Sequence, residues 1–487
     1  MLRVHRLFLV AVLLGAALRL VVALAYQPAL WFHGDSFSYL AGGSALAART
    51  VRPVGYDVLL RILEPLPHSL TWVTAVQHLA GLGVAALVYA LLVRRSVPRS
   101  VATAATLPVL LDAQQLQLEH LVMSDAMYLL LTTAAVVVLA WRDRPSGWAA
   151  AGGGLLLGAA AATRSVGLPV AVVLLVVLTM RRVGLVRVAT AALACALPLS
   201  AQLVSFHATH GRWALTNSSG IFLYSRTMAF ADCSVLPLTP EEQLLCDPRP
   251  PAARPESSRY IWAPDLPLRR LPGPTFVAEH DRLAQGFARK ALRGQPGDYL
   301  VVVAREVGYA FAPRRPAIPA VDLPKYEFVQ DPAALVPAYA QQRGLRLVQA
   351  YDESTSSLNT TARPGLAAFL ARYQDVVRLP GPALAGLVLL GLASCRSRAR
   401  HRGAALTLLS AATALVVLPP MTAQYDPRYV LVAVPTLSAA AALAGGTGRR
   451  AAQEPGHRAA EGADDHVDQQ GAATAPGATP APHAGQA

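Results

Sequence analysis

The chain has 487 residues, of which 54% are hydrophobic and only 15% charged, and its formal net charge is +14. A soluble domain carries about a quarter charged residues, so the apolar surplus excludes an ordinary water-soluble protein and calls for lipid. Nucleic acid is also excluded as a partner, because the arginines fall in short clusters between long apolar runs, without the aromatic interleaving of a binding face.

A membrane-spanning helix needs about twenty mostly apolar residues. On that measure spans are predicted near 7–26, 73–93, 101–118, 121–141, 148–163, 165–180, 188–206, 379–395, 404–421 and 429–446. The first has a basic lead (Arg3, His5, Arg6) and an Ala23, Leu24, Ala25 sequence resembling a signal-peptidase site. Its length and the presence of Arg19 favour an uncleaved span over a signal peptide. Arg94, Arg95 and Arg99 follow the second span, Arg142 and Arg144 the fourth, Arg181, Arg182 and Arg187 the sixth, and Arg396, Arg398, Arg400 and Arg402 the eighth. All fall on the side of Arg3 and Arg6. Short cytoplasmic loops are rich in Lys and Arg, so ten spans with both termini cytoplasmic form a self-consistent topology.

That topology divides the chain into an N-terminal membrane module (1–206), an extracytoplasmic loop domain (207–378), C-terminal membrane helices (379–446) and a disordered cytoplasmic tail (447–487) rich in Ala, Gly, Pro and His. Within the first module, the outer loop 27–72 reads as two short amphipathic helices, 36–48 and 56–66, of the kind that lie on a membrane surface. The loop domain opens proline-rich and then shows helical patterns at 276–292 and 298–311. The latter is apolar at its start, but Arg305 and Glu306 argue against a span. Cys233 and Cys246 both lie in this outward segment, where an oxidising compartment would permit a disulfide, whereas Cys195 and Cys395 sit inside apolar runs as small buried thiols.

Polar residues gather at the outer ends of the spans: Gly34 and Asp35 after the first, Arg52 to Tyr56 in the outer loop, Glu119, His120, Ser124 and Asp125 before the fourth, Thr163 and Arg164 after the fifth, and Asp426, Arg428 and Tyr429 before the last. Each has a plainer reading. Asp426 is then a solvated loop carboxylate, Arg164 snorkels to the interface, Asp125 complements a helix N-terminus, and Arg19 snorkels or makes an internal ion pair. Together, carboxylates and arginines at one membrane depth suit a charged lipid headgroup and chemistry upon it. His120 has no second ligand at zinc spacing, so no metal site is predicted, and no P-loop or GxSxG sequence is evident.

At these residues the chain resembles the lipid-carrier-dependent glycosyltransferases of the GT-C superfamily, in the branch of protein O-mannosyltransferases and aminoarabinose transferases of lipid A. Asp35 matches the family's aspartate after the first span. Arg52, Pro53 and Tyr56 loosely match a basic-Pro-Pro-Leu-Tyr pattern, with Val54 and Gly55 departing from it. Ser124 and Asp125 match the acidic residue opening the fourth span, Thr163 and Arg164 a small-Thr-basic turn, and Arg428 and Tyr429 an Arg-Tyr before the final span. The resemblance covers roughly 1–210 and 375–446. No Trp-Trp-Asp run of the oligosaccharyltransferase branch is present.

The resemblance implies an all-α polytopic enzyme that takes a monosaccharide from a polyprenyl-phosphate donor in the membrane lipid. The acceptor is a hydroxyl on a protein, glycan or lipid. Asp35 is the implied general base, with Asp125 as a second catalytic carboxylate. Arg52 and Arg164 would bind the donor phosphate, and Tyr39, Tyr56, Glu119, His120, Arg428 and Tyr429 would shape the pocket. No cofactor is fixed by the resemblance, which leaves a divalent metal open. The alternative readings are a transporter or flippase of a lipid-linked substrate, needing polar residues between both membrane faces, and a non-catalytic surface protein.

Overall fold

The computed structural model describes residues 2–45, 48–66, 70–332, 336, 338–353, 358–396 and 399–445. The tail expected at 447–487 lies outside them. Apart from one pair of two-residue strands, the regular elements are helical, and each of the ten runs predicted to span is a helix or contains one. In chain order these are Arg6–Ala25 (α1), two outer-loop helices His33–Ala45 (α2) and Gly55–Leu63 (α3), then Leu70–Arg94 (α4), Arg99–Leu111 (α5), Ala113–His120 (α6), Asp125–Ala140 (α7), Gly147–Thr163 (α8), Gly167–Met180 (α9) and Leu185–His210 (α10). The outer segment supplies Ser219–Thr227 (α11), the one-turn helices Pro240–Gln243 (α12), Arg259–Trp262 (α13) and Pro267–Arg270 (α14), then Ala278–Gly294 (α15), Pro296–Tyr309 (α16), Ala338–Gln349 (α17) and Pro364–Val376 (α18). Gly381–Arg396 (α19), Ala399–Thr422 (α20) and Pro427–Ala444 (α21) complete the bundle.

Among the described residues five helices are long and apolar enough to cross a membrane by themselves, or six if the bent pair α18 and α19 counts as one. Helices α5, α7, α8 and α9 are apolar but shorter. The lipid-type surface is legible in exposure: on α1, Leu7 is 65% and Leu13 68% exposed, and on α10, Leu193 is 71% exposed. Helices α8 and α10 approach closely because Gly154 and Gly158 face the carbonyls of Ala191 and Cys195, which a Cβ would meet at 2.0 and 2.2 Å. Small residues four apart are the usual means of close helix contact in lipid.

One predicted span is not continuous. The run 101–118 divides at Asp112, whose Oδ1 accepts from the backbone N–H of Gln114 at 2.8 Å and Gln115 at 3.1 Å. A carboxylate in that position starts a new helix, and Pro108 weakens the old one from within. The resulting α6 is polar, yet every residue in it is buried.

The chain leaving α1 is tied to the outer segment. Tyr26 and Gln27 (β1) pair antiparallel with Thr361 and Ala362 (β2), the Arg363 N–H donates to the Ala25 carbonyl at 2.9 Å, and the Leu30 N–H donates to the His120 carbonyl at 3.0 Å. The outer segment has its own apolar core, with Tyr224, Tyr260, Ile261, Phe287 and Ala291 all buried. Cys233 and Cys246 are joined as a disulfide beside it.

Helices α2 and α3 meet across charge. Asp57 is 2% exposed and lies 3.6 Å from Arg49 Nε, and Gly42 of α2 passes so close that a Cβ there would sit 2.1 Å from Asp57 Oδ2. Burial pushes the Asp57 carboxyl up to about 7 against the opposing pull of Arg49. A raised folded-state value means the protonated acid stabilises this packing below the ordinary aspartate range, and the contribution disappears as pH rises through about 7. The span between the two values corresponds to at most about 4 kcal/mol. Thermal unfolding of purified protein between pH 4 and 8 therefore separates wild type from Asp57→Asn, the wild type losing stability relative to the variant as pH rises. Parallel curves contradict this assignment.

Candidate active site

Five sequence-distant segments bring their charges to one place. Asp35 lies in the first turn of α2 and Asp125 in the first turn of α7, positions where a helix N-terminus favours negative charge. Arg164 is the residue at which α8 ends, its backbone already extended. Arg428 opens α21, which Asp426 caps by accepting the Arg428 N–H at 3.0 Å, and Pro427 pre-sets the first turn. Arg52 comes from the connection between α2 and α3.

The contacts form one ionic chain. Arg52 Nη2 donates to Asp35 Oδ1, and Arg164 Nη1 pairs with Asp125 Oδ2. Arg428 joins these pairs: its Nη1 lies 3.4 Å from Asp35 Oδ2 and 3.9 Å from Asp125 Oδ2, while its Nε donates to Asp426 Oδ2 at 2.8 Å. The guanidinium groups also lie over aromatic rings, Arg428 at 4.5 Å from the Phe32 centroid, Arg164 at 5.0 Å from Tyr429 and Arg52 at 5.2 Å from Tyr39. Such contacts orient cations while leaving N–H groups free for anions. Burial alone would raise the Asp35 carboxyl, but Arg52, Arg428 and Arg164 outweigh it and hold the group below its ordinary value. Asp35 is therefore ionised at neutral pH.

Above this chain is a cavity of about 870 Å³. Its wall includes Asp35, Arg52, Arg164, Arg428 and Tyr429 from the helix ends, and Arg259, Trp262, Lys325, Tyr326 and Arg343 from the outer segment. Seven cationic side chains and three carboxylates line it, a balance suited to an anionic ligand. Lys325 is paired with Asp322, whereas Arg259 and Arg343 have no ion-pair partner among the described residues.

The structure thus places Asp35, Arg52, Arg164, Arg428 and Tyr429 on one cavity wall. Asp125, fully buried, stands behind Arg164. Tyr39 and Tyr56 are buried beneath the wall rather than on it, in edge-to-face contact at 4.9 Å. The Tyr39 hydroxyl bonds to Ser124 Oγ at 2.8 Å and the Tyr56 hydroxyl donates to Gln77 at 2.7 Å.

Glu119 and His120, expected in the pocket, are elsewhere. Arg19 Nε and Nη2 each donate to Glu119 at 2.8 Å, and Gln115 and His78 occupy the same carboxylate at 2.9 and 3.0 Å. His120 contacts His78 at 3.1 Å and the Tyr26 carbonyl at 2.6 Å. With their polar atoms satisfied internally and both residues buried, they tie α1, α4 and α6 together. Arg19 is accordingly an internal ion-pair partner. Among the described residues no three His, Cys, Asp or Glu side chains gather as a metal-binding group.

Sequence reasoning missed the contribution of 207–378. Lys325, Arg259 and Arg343 carry no local pattern that sets them apart from the other cations of this long segment. It also missed Arg226 and Glu306, a buried pair at 2.6 Å. Glu306 accepts the Tyr425 N–H at 2.7 Å and so anchors the segment leading to Asp426 and Arg428.

Residues 60–181 match the family model of dolichyl-phosphate-mannose-protein mannosyltransferase. No curated protein matches the chain. Among solved structures, an Archaeoglobus fulgidus oligosaccharyltransferase, tethered by a disulfide to an acceptor peptide containing the NVT sequon, aligns with TM-score 0.42 and 11% identity, covering 91% of this chain and 49% of that one. The chain spans about half the length of that protein. Through the matched segment, which runs from α3 to the start of the turn after α9, the chain resembles the glycosyltransferases of the GT-C superfamily.

Proposed function

We propose that this protein is a membrane glycosyltransferase that moves a monosaccharide from a polyprenyl-phosphate donor to an acceptor hydroxyl on the extracytoplasmic face, with Asp35 as general base. The observation that carries the proposal is an ionised carboxylate held between Arg52 and Arg428 on the wall of a cation-lined cavity. The family match over 60–181 supports the lipid-linked donor, and the arginine clusters at the opposite helix ends support an outward-facing site with cytoplasmic termini. Acceptors on protein, glycan or lipid all satisfy the chemistry.

In the proposed step the acceptor oxygen attacks the anomeric carbon as the bond from that carbon to the phosphate oxygen breaks. Attack opposite the leaving group inverts the configuration. The acceptor proton passes to Asp35, and the donor phosphodiester, with one negative charge, leaves as a phosphate monoester with two. Charge therefore shifts within the site without changing in total. When Asp35 takes the proton, Arg52 loses its carboxylate partner and Arg428 one of its three, just as the phosphate acquires a second charge for them to bind. A carboxylate flanked by cations is a weak base, so proton transfer occurs late, after bond formation has acidified the hydroxyl. Asp125 acts as a positioning residue that holds Arg164 toward the phosphate. Preorganised donors of this kind each supply about 3–4 kcal/mol to a transition state.

The test uses purified full-length protein, a polyprenyl-phosphate mannose donor and a hydroxyl acceptor. Wild type is expected to form product with inverted configuration, and Asp35→Asn to lower turnover by about 10²- to 10⁴-fold. Undiminished turnover in the variant removes Asp35 from its role. Passage of the intact donor across a bilayer without transfer would support the transport reading instead.

A further inference from the structure

The stretch 48–54, which carries Arg52, contains no helix or strand, yet its backbone is held at several points by α10 and the turn that follows it. His210 Nε2 lies 2.8 Å from the Ala48 carbonyl oxygen. The Asn217 N–H donates to the Thr50 carbonyl at 2.7 Å, the Ser218 hydroxyl to the Val51 carbonyl at 3.1 Å, and the Val54 N–H to Gln202 Oε1 at 3.1 Å.

Of these partners Gln202 lies deepest, about two turns before the end of α10. That helix turns only Ala191, Cys195, Gln202 and Phe206 inward, a stripe at helical spacing, while Leu193, Leu197 and Val204 are exposed. A buried amide costs free energy unless its polar atoms are bonded, and polar residues within membrane helices are retained for specific partners. Gln202 is 1% exposed and uses both ends of its amide: Oε1 accepts from Val54, and Nε2 donates to the Leu215 carbonyl at 2.9 Å. It therefore joins the stretch bearing Arg52 to the chain leaving α10. The next residue, Gly55, opens α3 against the end of α8, where a Cβ would meet the Ala162 carbonyl oxygen at 2.6 Å and Thr163 Oγ1 at 2.7 Å. Val54 and Gly55, which depart from the family pattern, are thus docked on α10 and on the residues that precede Arg164.

We propose that Gln202 is a positioning residue for the donor, fixing the backbone on either side of Pro53 so that the Arg52 guanidinium stays against Asp35 at the cavity wall. It is not itself among the residues lining the cavity, so it acts through Arg52. The inference rests on the reading of Arg52 as a ligand of the donor phosphate. Displacing a group of that kind by about 1 Å costs up to about 100-fold in rate, which is why a side chain remote from the reacting atoms matters. Ser218 adds a second hold through Val51.

The experiment is a double-mutant cycle on the binding of polyprenyl phosphate to purified full-length protein in detergent, with wild type, Arg52→Gln, Gln202→Met and the double variant. Methionine keeps the unbranched shape of glutamine and removes both hydrogen bonds. Gln202→Met is expected to raise Kd about tenfold and to add nothing in the Arg52→Gln background, because its effect passes through that guanidinium. Wild-type affinity in Gln202→Met, with weakened binding by Arg52→Gln, overturns the proposal and leaves the donor reading standing. A full additional loss in the double variant does the same, since a general loosening of the bundle weakens binding whether or not Arg52 is present. Undiminished binding by Arg52→Gln overturns both. Should Gln202→Met not fold, Ser218→Ala decides by the same cycle: a loss on the order of threefold that vanishes with Arg52→Gln supports the proposal, and no loss, or one that persists, overturns it.

Discussion

A single guanidinium, that of Arg428, reaches three carboxylates: Asp35 and Asp125 from Nη1 and Asp426 from Nε. Asp35 and Asp125 are contributed by the first outer loop and the start of α7, separated by ninety residues of chain that include α4, α5 and α6. Because Asp125 is fully buried and Arg428 nearly so, withdrawing any one element leaves a charge in a medium that solvates it poorly, at a cost of about 3–5 kcal/mol. The helix ends are thereby held together by a requirement for charge neutrality as well as by the apolar cluster of Phe37, Leu40, Leu60, Met123 and Leu431. The same requirement aligns Arg164 and Arg52 on one wall.

The outer segment participates in this arrangement. Arg226 pairs with Glu306, and Glu306 holds the Tyr425 backbone, so the segment fixes the approach to α21 and hence Arg428. The Tyr326 hydroxyl donates to Asp426 at 3.1 Å. Helix α17 packs over α2 where Gly344 leaves room for Phe37, which a Cβ would approach to 2.8 Å. Arg259 and Arg343 then add positive charge to the cavity that the carboxylates do not offset. Inner arginines are matched with acids before any ligand arrives, whereas these outer two are available to attract one.

Much of this was legible in the sequence because the relevant physics is local or one-dimensional. Apolar runs of membrane length placed the helices, and motifs at helix ends brought Asp35, Arg52, Asp125, Arg164 and Arg428 into one list. The interruption at Asp112 was missed because its cap is a side-chain geometry, indistinguishable in composition from a polar residue inside a span. Glu119 and His120 were assigned to the pocket because they neighbour Ser124 and Asp125. Their partners Arg19 and His78 lie on other helices, and only three-dimensional packing turns them inward. Arg428 was read as a pocket residue, since nothing in an Arg-Tyr pair shows that two distant aspartates converge on it. The outer segment carried little family pattern, and its role in the cavity emerges only from folding.

The central claim is that Asp35 and the donor phosphate exchange charge for the same two arginines. It is tested most directly by the affinity of wild type and Asp35→Asn for polyprenyl phosphate, the leaving product. The account predicts that removing the carboxylate frees Arg52 and relieves Arg428 of one of its three carboxylates, and so tightens binding by about tenfold, as for one unscreened charge partly exposed to water. Equal or weaker binding in the folded variant would contradict it.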